Sequence, residues 1–218
     1  MDRIAIIQDF KTIILANGIF PEHEIPLSFL QHAERIICCD GGTENLLKSG
    51  LEPSFIVGDL DSLSENIKTH YSPILNHDPD QETNDLTKAV HFCVKNGWKE
   101  ITILGATGKR EDHSLGNISL LADYTMKARV QMLTDYGVFT SMNSSATFES
   151  FRGQQISIFS LTPPTLFTTS NLQYPLDKKE LTSWWQGTLN EATEDHFNIE
   201  INQGKVLIFR EYPHIQKK

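Results

Sequence analysis

Carboxylate side chains follow short apolar runs in the first half of the chain. Asp40 comes directly after the run from Arg35 to Cys39, and Asp59 and Asp61 come after the run from Phe55 to Val57. Such runs are typical of buried parallel strands, and α/β sheets bind their ligands at the carboxyl ends of those strands. Acids gathered at one edge repel one another unless a cation lies among them. The pattern therefore predicts a Mg²⁺ site and a phosphorylated substrate.

The two aspartates of the second group are two residues apart and follow Gly58. At a strand end, Asp59 and Asp61 can face the same way, and two hard oxygen donors so placed suit an octahedral Mg²⁺. The motif alone also fits a capping aspartate followed by a solvated turn. The same choice applies to Asp40, because Gly41 and the glycine after it either let the backbone approach a ligand closely or form a strand-to-helix turn.

A third polar group lies at the start of the clearest predicted helix, Asn84 to Asn96. Asp85 and Lys88 are three residues apart there. They form either an ordinary intrahelical ion pair, which contributes ~0.2–0.5 kcal/mol, or a metal-binding acid beside a phosphate-binding lysine, at a helix N-terminus that favours anions. Gln81, just upstream, can donate to a nucleotide or a phosphate.

The fourth group is the basic loop Gly105 to Arg110, which follows another apolar run. It is not a Walker A loop, because two residues rather than four separate its glycines and Arg110 stands where Ser or Thr is required. A flexible basic loop at the carboxyl end of a strand nevertheless suits a polyphosphate. Asp112 and His113 follow on the next predicted helix. Four polar groups at four successive strand ends indicate one site.

Strands and helices alternate over residues 1–143, and this order predicts an α/β domain with a doubly wound, Rossmann-like parallel sheet. From there on the pattern changes to strands joined by turns, which predicts an all-β sandwich domain over residues 144–218. We place the boundary at the polar stretch Asn143-Ser144-Ser145. Asn202-Gln203-Gly204 is predicted to be a hairpin turn between the last two strands of the sandwich.

The bulk properties narrow the choice of partners. The chain has 218 residues, of which 39% are hydrophobic and 22% charged, as is ordinary for a soluble globular protein. Its net charge of −9 argues against a nucleic-acid partner held by phosphate contacts. No run approaches the ~20 apolar residues of a membrane span. The three cysteines contain no CxxC pair, so we expect reduced thiols in a cytoplasmic protein.

In their order, these motifs resemble those of the thiamine pyrophosphokinase family. The matching segments are Asp40-Gly41-Gly42, Gly58 to Ser62, Asp80-Gln81 through Asp85 to Lys88-Ala89, and Gly105 to His113, followed by Asn171 to Leu176 and Gly187 to Glu191 in the second half. The chain departs from the family pattern at Asn84, where Thr is common, at Asn171, where Gly is usual, and at Leu189, where Ser is usual.

The resemblance implies transfer of the β,γ-diphosphate of ATP to the hydroxyl of thiamine, with Mg²⁺, giving thiamine diphosphate and AMP. It also implies a homodimer in which thiamine lies between the α/β domain of one subunit and the sandwich of the other. The residues it assigns are Asp59, Asp61 and Asp85 for the metal, Lys88 and Arg110 for the phosphates, Gln81 and His113 for the nucleotide, and Asn190 for thiamine.

Two questions stay open at the level of the sequence. Either Asp40 or Asp112 would orient the thiamine hydroxyl or take its proton. The chain could also be a pyrophosphokinase for another primary alcohol, such as a hydroxymethylpterin, or a non-catalytic binder of nucleotide or thiamine diphosphate. The complete set of acids argues against the binder, which would not need so many metal ligands.

Overall fold

The computed structural model describes residues 2–213, so Met1 and residues 214–218 of the predicted second domain lie outside the described residues. The strands are β1 (Asp2–Ile4), β2 (Thr12–Leu15), β3 (Arg35–Cys39), β4 (Phe55–Gly58), β5 (Leu75–His77), β6 (Glu100–Leu104), β7 (Arg129–Leu133), β8 (Gly137–Met142), β9 (Ala146–Glu149), β10 (Gln155–Ser160), β11 (Leu166–Ser170), β12 (Lys179–Glu180), β13 (Asn190–Glu191), β14 (His196–Ile201) and β15 (Val206–Glu211). The α-helices are α1 (Glu24–Gln31), α2 (Thr43–Lys48), α3 (Glu65–His70), α4 (Asp85–Lys95) and α5 (Glu111–Tyr124).

The chain divides into two compact units. Phe10–Asp135 forms the first, which we call the α/β unit, and Met1–Asp9 with Tyr136–Lys218 forms the second, the β unit. This division differs from the predicted boundary at residue 143. The polar stretch there is a turn inside the β unit, where the Ser145 hydroxyl accepts a hydrogen bond from the Ile201 N–H at 3.0 Å.

A parallel sheet forms the centre of the α/β unit. Its strand order is β7-β6-β2-β3-β4-β5, and every neighbouring pair is parallel. All four residues of β2 are buried, as are the last four residues of β3 and of β6. Because the strands are parallel, their carboxyl ends share one edge of the sheet. The residues that follow β2, β3, β4 and β6 therefore meet at that edge.

Helix α4 shows how local sequence sets the start of an element near this edge. The Asn84 side chain caps it by accepting a hydrogen bond from the Thr87 N–H at 2.9 Å, which satisfies one of the free N–H groups of the first turn. Its apolar residues Leu86, Ala89, Val90 and Cys93 recur at helical spacing and are buried. In residues 2–213, no helix combines the length and hydrophobicity that a membrane crossing requires.

The β unit consists of strands in two groups. One sheet has the order β1-β9-β14-β11-β12, and the second group pairs in the order β13-β10-β15-β8. Their apolar side chains form one core, in which the rings of Phe148 and Phe197 stack with centroids 5.1 Å apart. The β-rich second domain predicted from the sequence is thus confirmed, with strand β1 from the start of the chain added to it.

One fully buried arginine, Arg210 on β15, lies in this core. Its guanidinium stacks over the Phe148 ring and donates to the backbone oxygens of Ala5, at 3.0 Å, and Glu149, at 3.1 Å. Burial lowers the pKa of Arg210 to about 9. The bond to Ala5 fastens the first residues of the chain to the rest of the β unit.

The predicted hairpin at Asn202-Gln203-Gly204 is wrong. Strand β14 pairs with β9 and β11, whereas β15 pairs with β8 and β10, so the turn carries the chain from one sheet to the other. The Asn202 side chain accepts from the Leu166 N–H at 2.8 Å, and a side chain on Gly204 would collide with Thr165. These contacts hold the turn against a neighbouring loop, and turn composition alone cannot distinguish that arrangement from a hairpin.

Candidate active site

Three carboxylates converge at the carboxyl edge of the parallel sheet. Asp40 follows β3, Asp59 and Asp61 follow β4, and one oxygen from each lies within 4.8 Å of the other two. Asp40 is only 1% exposed, whereas Asp59 is half-buried and Asp61 is exposed. The predicted convergence of the first two acid groups is therefore present in the structure.

The turn between Asp59 and Asp61 is held in an unusual conformation. The Asp61 N–H donates to Asp59 Oδ1 at 3.3 Å, and Leu60 between them has a φ of 66°. A leucine in the left-handed region is uncommon, and strain of this kind is found at functional sites. The turn brings the second carboxylate back beside the first.

Burial and hydrogen bonding shift the pKa values of Asp40 and Asp59 in opposite directions. Burial raises the pKa of the Asp40 carboxyl, and the neighbouring carboxylates raise it further, while the hydrogen bond from the Ser62 N–H lowers it. The hydrogen bond from the Asp61 N–H lowers the pKa of Asp59. Asp40 is thus the acid that most needs a compensating positive charge.

The residues present fit a divalent cation. Within residues 2–213, Asp40 Oδ1 is buried and has no hydrogen-bond partner, and a buried polar atom of this kind requires an explanation. Carboxylate oxygens are the hard donors that Mg²⁺ prefers. A cation among Asp40, Asp59 and Asp61 would satisfy that oxygen and offset the mutual repulsion of the three acids.

Asp85 lies beside this cluster but forms a pair of its own. A side chain on Gly58 would lie 3.0 Å from Asp40 Cβ and 3.1 Å from Asp85 Oδ1, so the two acids flank the same glycine. Asp85 Oδ1 accepts a hydrogen bond from Lys88 Nζ at 3.3 Å. The Lys88 side chain is only 3% exposed, so this pair differs from the solvated intrahelical pair that the sequence also allowed.

A cavity of about 450 Å³ opens at the same edge. Six of the predicted site residues line it: Asp59, Gln81, Asp85, Lys88, Arg110 and His113. Gln81 Nε2 donates to Asp59 Oδ2 at 3.4 Å. The residue predicted to contact the nucleotide therefore lies next to the acid cluster. The structure therefore brings most of the predicted site together in the α/β unit.

Asp112 does not line the cavity but holds the arginine that does. Arg110 donates to it twice, from Nε to Oδ1 at 3.1 Å and from Nη2 to Oδ2 at 2.6 Å. These bonds lower the pKa of Asp112 to about 2. Both side chains are largely exposed. A carboxylate committed in this way positions Arg110 and is a poor proton acceptor.

Several residues that hold the basic loop were not assigned from the sequence. On α5, the Ser114 hydroxyl accepts from the Gly108 N–H at 3.2 Å and donates to the Arg110 oxygen at 3.0 Å. Asn117, one turn further on, donates to the Ala106 oxygen at 2.8 Å. The loop is therefore fixed from the helix below it, whereas its composition predicted a flexible segment.

Asn117 also joins this loop to the helix that carries Asp85. Its Oδ1 accepts from Asn84 Nδ2 at 3.1 Å, while Asn84 Oδ1 caps α4. The Asn84 side chain thus both caps α4 and donates to α5. The resembled family commonly has threonine at this position. Asn117 lies four residues after His113, and this spacing indicates a shared helix face but not these partners.

Asn17, which follows β2, is a further residue at this edge. Its Oδ1 accepts from Lys109 Nζ at 2.9 Å. A side chain on Gly41 would collide with the Asn17 amide, and one on Gly42 would lie 2.8 Å from the Leu15 oxygen. The two glycines after Asp40 thus make room for the protein's own atoms in a strand-to-helix turn, which is the second of the two alternatives that the sequence left open.

Asn190 belongs to the β unit and is buried. Its Oδ1 accepts from the Tyr174 N–H at 3.0 Å, and its Nδ2 donates to the Tyr174 oxygen at 2.8 Å. The side chain therefore joins two segments. Exposed apolar groups surround it in the sequence, among them Trp185 and Leu189, which are 74% and 76% exposed.

These features place the chain among α/β proteins that carry a β-rich domain at the C-terminal end. The family model described as "Thiamin pyrophosphokinase, catalytic domain" matches residues 27–133, and the one described as "Thiamin pyrophosphokinase, substrate-binding domain" matches residues 137–209. The chain belongs to the thiamine pyrophosphokinase family.

Individual relatives agree with this assignment. Thiamine pyrophosphokinase 1 of Oryza sativa subsp. japonica is 28% identical over 175 residues, which is 66% of this chain and 66% of that one. The Bacillus subtilis thiamine pyrophosphokinase is 35% identical over 118 residues, 51% of this chain and 54% of that one. The crystal structure of the Bacillus subtilis protein superposes with a TM-score of 0.75 at 24% identity, covering 92% of this chain and 99% of that one.

Proposed function

We propose that this protein transfers the diphosphate group of ATP to the hydroxyl of thiamine and releases AMP. One observation carries the proposal. In a member of this family, Asp40, Asp59 and Asp61 converge within 4.8 Å beside a cavity lined by three cationic side chains. In the reaction, a bond forms between the thiamine oxygen and the β-phosphorus, and the bond between the α,β-bridging oxygen and that phosphorus breaks. The hydroxyl proton passes to solvent.

Asp40, Asp59 and Asp61 would hold Mg²⁺, and Asp85 remains a proposed ligand because it flanks the same glycine as Asp40. When bound, the cation supplies charge neutralisation for the phosphate oxygens. Of the two acids considered for the thiamine hydroxyl, Asp112 is disfavoured, because both of its oxygens accept from Arg110. As a proposed metal ligand, Asp40 would orient the hydroxyl rather than take its proton.

The remaining cavity residues would position the nucleotide. Lys88 and Arg110 would bind phosphate oxygens, the first as a buried point charge and the second as a planar fork held by Asp112. Gln81 and His113 would contact the nucleotide. Diphosphoryl transfer depends on positioning and electrostatic stabilisation, which fixed groups of this kind provide without reorganisation.

The proposed nucleotide site lies where the strand order of the sheet reverses. From β2 the chain proceeds through β3 and β4 to β5 on one side, and β6 and β7 are added on the other. We interpret this as a doubly wound, Rossmann-like sheet, whose ligands bind at the reversal point. The cavity is lined by residues that follow both β2 and β6, such as Asn17 and Thr107.

We further propose a cytoplasmic homodimer in which the β unit of one subunit completes the thiamine site of the other. The three cysteines are unpaired, as expected for a reducing compartment. Trp185, Leu189 and Tyr174 are exposed apolar groups of the β unit, and aromatic groups are enriched at interfaces and can stack on a cationic ring such as thiazolium. Asn190 would support this surface by holding Tyr174.

The test of the activity is an incubation of the purified protein with ATP, MgCl₂ and thiamine, with chromatographic measurement of AMP and thiamine diphosphate. We expect the two products in equal amounts, and their loss in the Asp59→Asn variant. Asp177→Asn, which alters an exposed acid of the β unit, is the matched control. Formation of ADP and thiamine monophosphate, or binding without turnover, would refute the proposal. AMP released only with a hydroxymethylpterin would identify the other alcohol as substrate.

The assembly is tested separately by light scattering at the protein concentration of the assay. We expect the mass of a dimer. A fully active monomer would remove the shared thiamine site and leave the chemistry of the α/β unit untouched.

A further inference from the structure

We propose that Lys109 is an anion-binding residue of this site and that Asn17 positions it. Nothing in the sequence motif singles Lys109 out from the arginine beside it. The identity of the anion, the polyphosphate chain of ATP, rests on the proposed function. The positive charge and its placement rest on the structure alone.

Two of the three cations that line the cavity are paired with acids. Lys88 is paired with Asp85, and Arg110 makes two bonds to Asp112. Lys109 Nζ instead donates to the Asn17 amide oxygen, and within residues 2–213 it takes part in no ion pair. An amide oxygen carries no net charge, so it orients the ammonium without neutralising it. Lys109 therefore offers the cavity an uncompensated positive charge.

The backbone that carries the Lys109 ammonium is held at a fixed place. Gly108 and Arg110, on either side of Lys109, are both bonded to the Ser114 hydroxyl. The loop leads directly into α5, whose N-terminus favours anions and begins without a side-chain cap at Arg110. A lysine on a fixed backbone loses less freedom on binding than one on a mobile loop.

Asn17 accepts the hydrogen bond from Lys109 at the end of β2. Gly41 packs against the Asn17 amide so closely that any side chain there would displace it. The same asparagine lines the cavity. Its position is thus determined by the sheet edge, and through its hydrogen bond it sets the position of the ammonium. Asn17 is a positioning residue that acts through Lys109.

The test compares two nucleotides in wild-type protein and in the Lys109→Met variant, by calorimetry with Mg²⁺ present. The probes are α,β-methylene-ATP, which has the polyphosphate but cannot be cleaved between the α- and β-phosphates, and AMP, which lacks the β- and γ-phosphates. Loss of one charge-assisted contact predicts about tenfold weaker binding of the analogue. Binding of AMP should change by less than about twofold. Lys95→Met, at the far end of α4 and outside the cavity, is the charge-matched control.

A second variant, Asn17→Ala, tests whether the asparagine acts through Lys109. It should weaken analogue binding in the wild-type background and have no further effect when Lys109 is already methionine, because the asparagine acts through the lysine. Lys109→Arg should retain most of the affinity for the analogue. Equal melting temperatures of the variants and wild type would establish that folding is not the cause.

The outcomes separate this inference from the proposed function. Wild-type turnover combined with normal analogue binding by Lys109→Met would overturn the role of Lys109 and leave the function intact. Equal losses for AMP and the analogue would also overturn it. Absence of thiamine diphosphate formation, combined with selective loss of analogue binding in Lys109→Met, would refute the function and uphold the anion site.

Discussion

Replacement of Asp40 by asparagine should stabilise the metal-free protein and abolish most of its activity. The side chain is 1% exposed, and its Oδ1 has no hydrogen-bond partner within the described residues. Asparagine can keep the bond from the Ser62 N–H through its oxygen and remove one of the three converging charges. Stability and activity should therefore change in opposite directions.

The magnitude follows from the separation of the carboxylates. Two unit charges 4.8 Å apart repel by about 0.9 kcal/mol in a water-like dielectric and about 3.5 kcal/mol at an effective dielectric constant of 20. Asp59 and Asp61 are in contact with solvent, so the lower value applies. Asparagine removes two such repulsions, one with Asp59 and one with Asp61, and relief of about 2 kcal/mol predicts a melting temperature about 4–8 °C higher. Loss of a charged group at the proposed metal site predicts a turnover at least ~10²-fold lower, or about 2.7 kcal/mol of transition-state stabilisation.

The assay is thermal unfolding in EDTA and in Mg²⁺, together with turnover of ATP and thiamine. The pKa of Asp40 is raised in the folded protein, so its ionisation costs stability as the pH rises through the folded value. As the pH is lowered toward the pKa of a free aspartate, Asp40 becomes protonated in the folded protein. Wild type in EDTA should therefore gain stability relative to Asp40→Asn. The reasoning is refuted if the variant melts below wild type in EDTA at neutral pH, or if it is stabilised by Mg²⁺ as much as wild type.

Three further predictions follow from the site. Asp59→Asn and Asp61→Asn should each keep the fold and lower turnover at least ~10²-fold at saturating Mg²⁺; near-normal rates would remove the metal assignment. Arg110→Ala should weaken catalysis, and Arg110→Lys should restore it only in part, because an ammonium cannot reproduce the planar fork held by Asp112; full rescue by lysine would show that only the charge matters. Burial raises the pKa of Cys38 and Cys93 to about 12, so a thiol reagent at pH 8 should not react until the protein unfolds; rapid labelling of the native protein would contradict this.

The parts of the fold that could be predicted are those set by local pattern. Strand β3 has the bounds of the apolar run from Arg35 to Cys39, and β4 extends the run from Phe55 to Val57 by one residue. Helix α4 was found from its apolar spacing. The short strand Asp2–Ile4 has no such pattern, and it exists because a distant strand offers it a partner. The failed hairpin has the same cause, since strand pairing is decided by packing and not by the turn.

The residues of the candidate site also fall into those that the sequence indicates and those that it does not. Acids at strand ends and the arginine of the loop could be found because their residue types are chemically distinctive. The contributions of Asn17, Ser114 and Asn117 could not, because each acts by a hydrogen bond to a residue far along the chain or to a backbone atom. Such partners become apparent only when the strands are assembled. A polar residue within two positions of the end of a parallel strand, as Asn17 is after β2, is the signal that merits inspection.

The position of the first strand has a consequence for how the chain is made. Strand β1 pairs with β9, so that Asp2 lies opposite Ala146, and Arg210 bonds the Ala5 oxygen. During synthesis these first residues emerge long before either partner exists. Phe10–Asp135 can form its parallel strand pairs in that interval, because β2 to β7 pair in parallel with one another. Residues 2–5 would then reach their final place after the α/β unit has folded, and closing so long a loop makes this step slow.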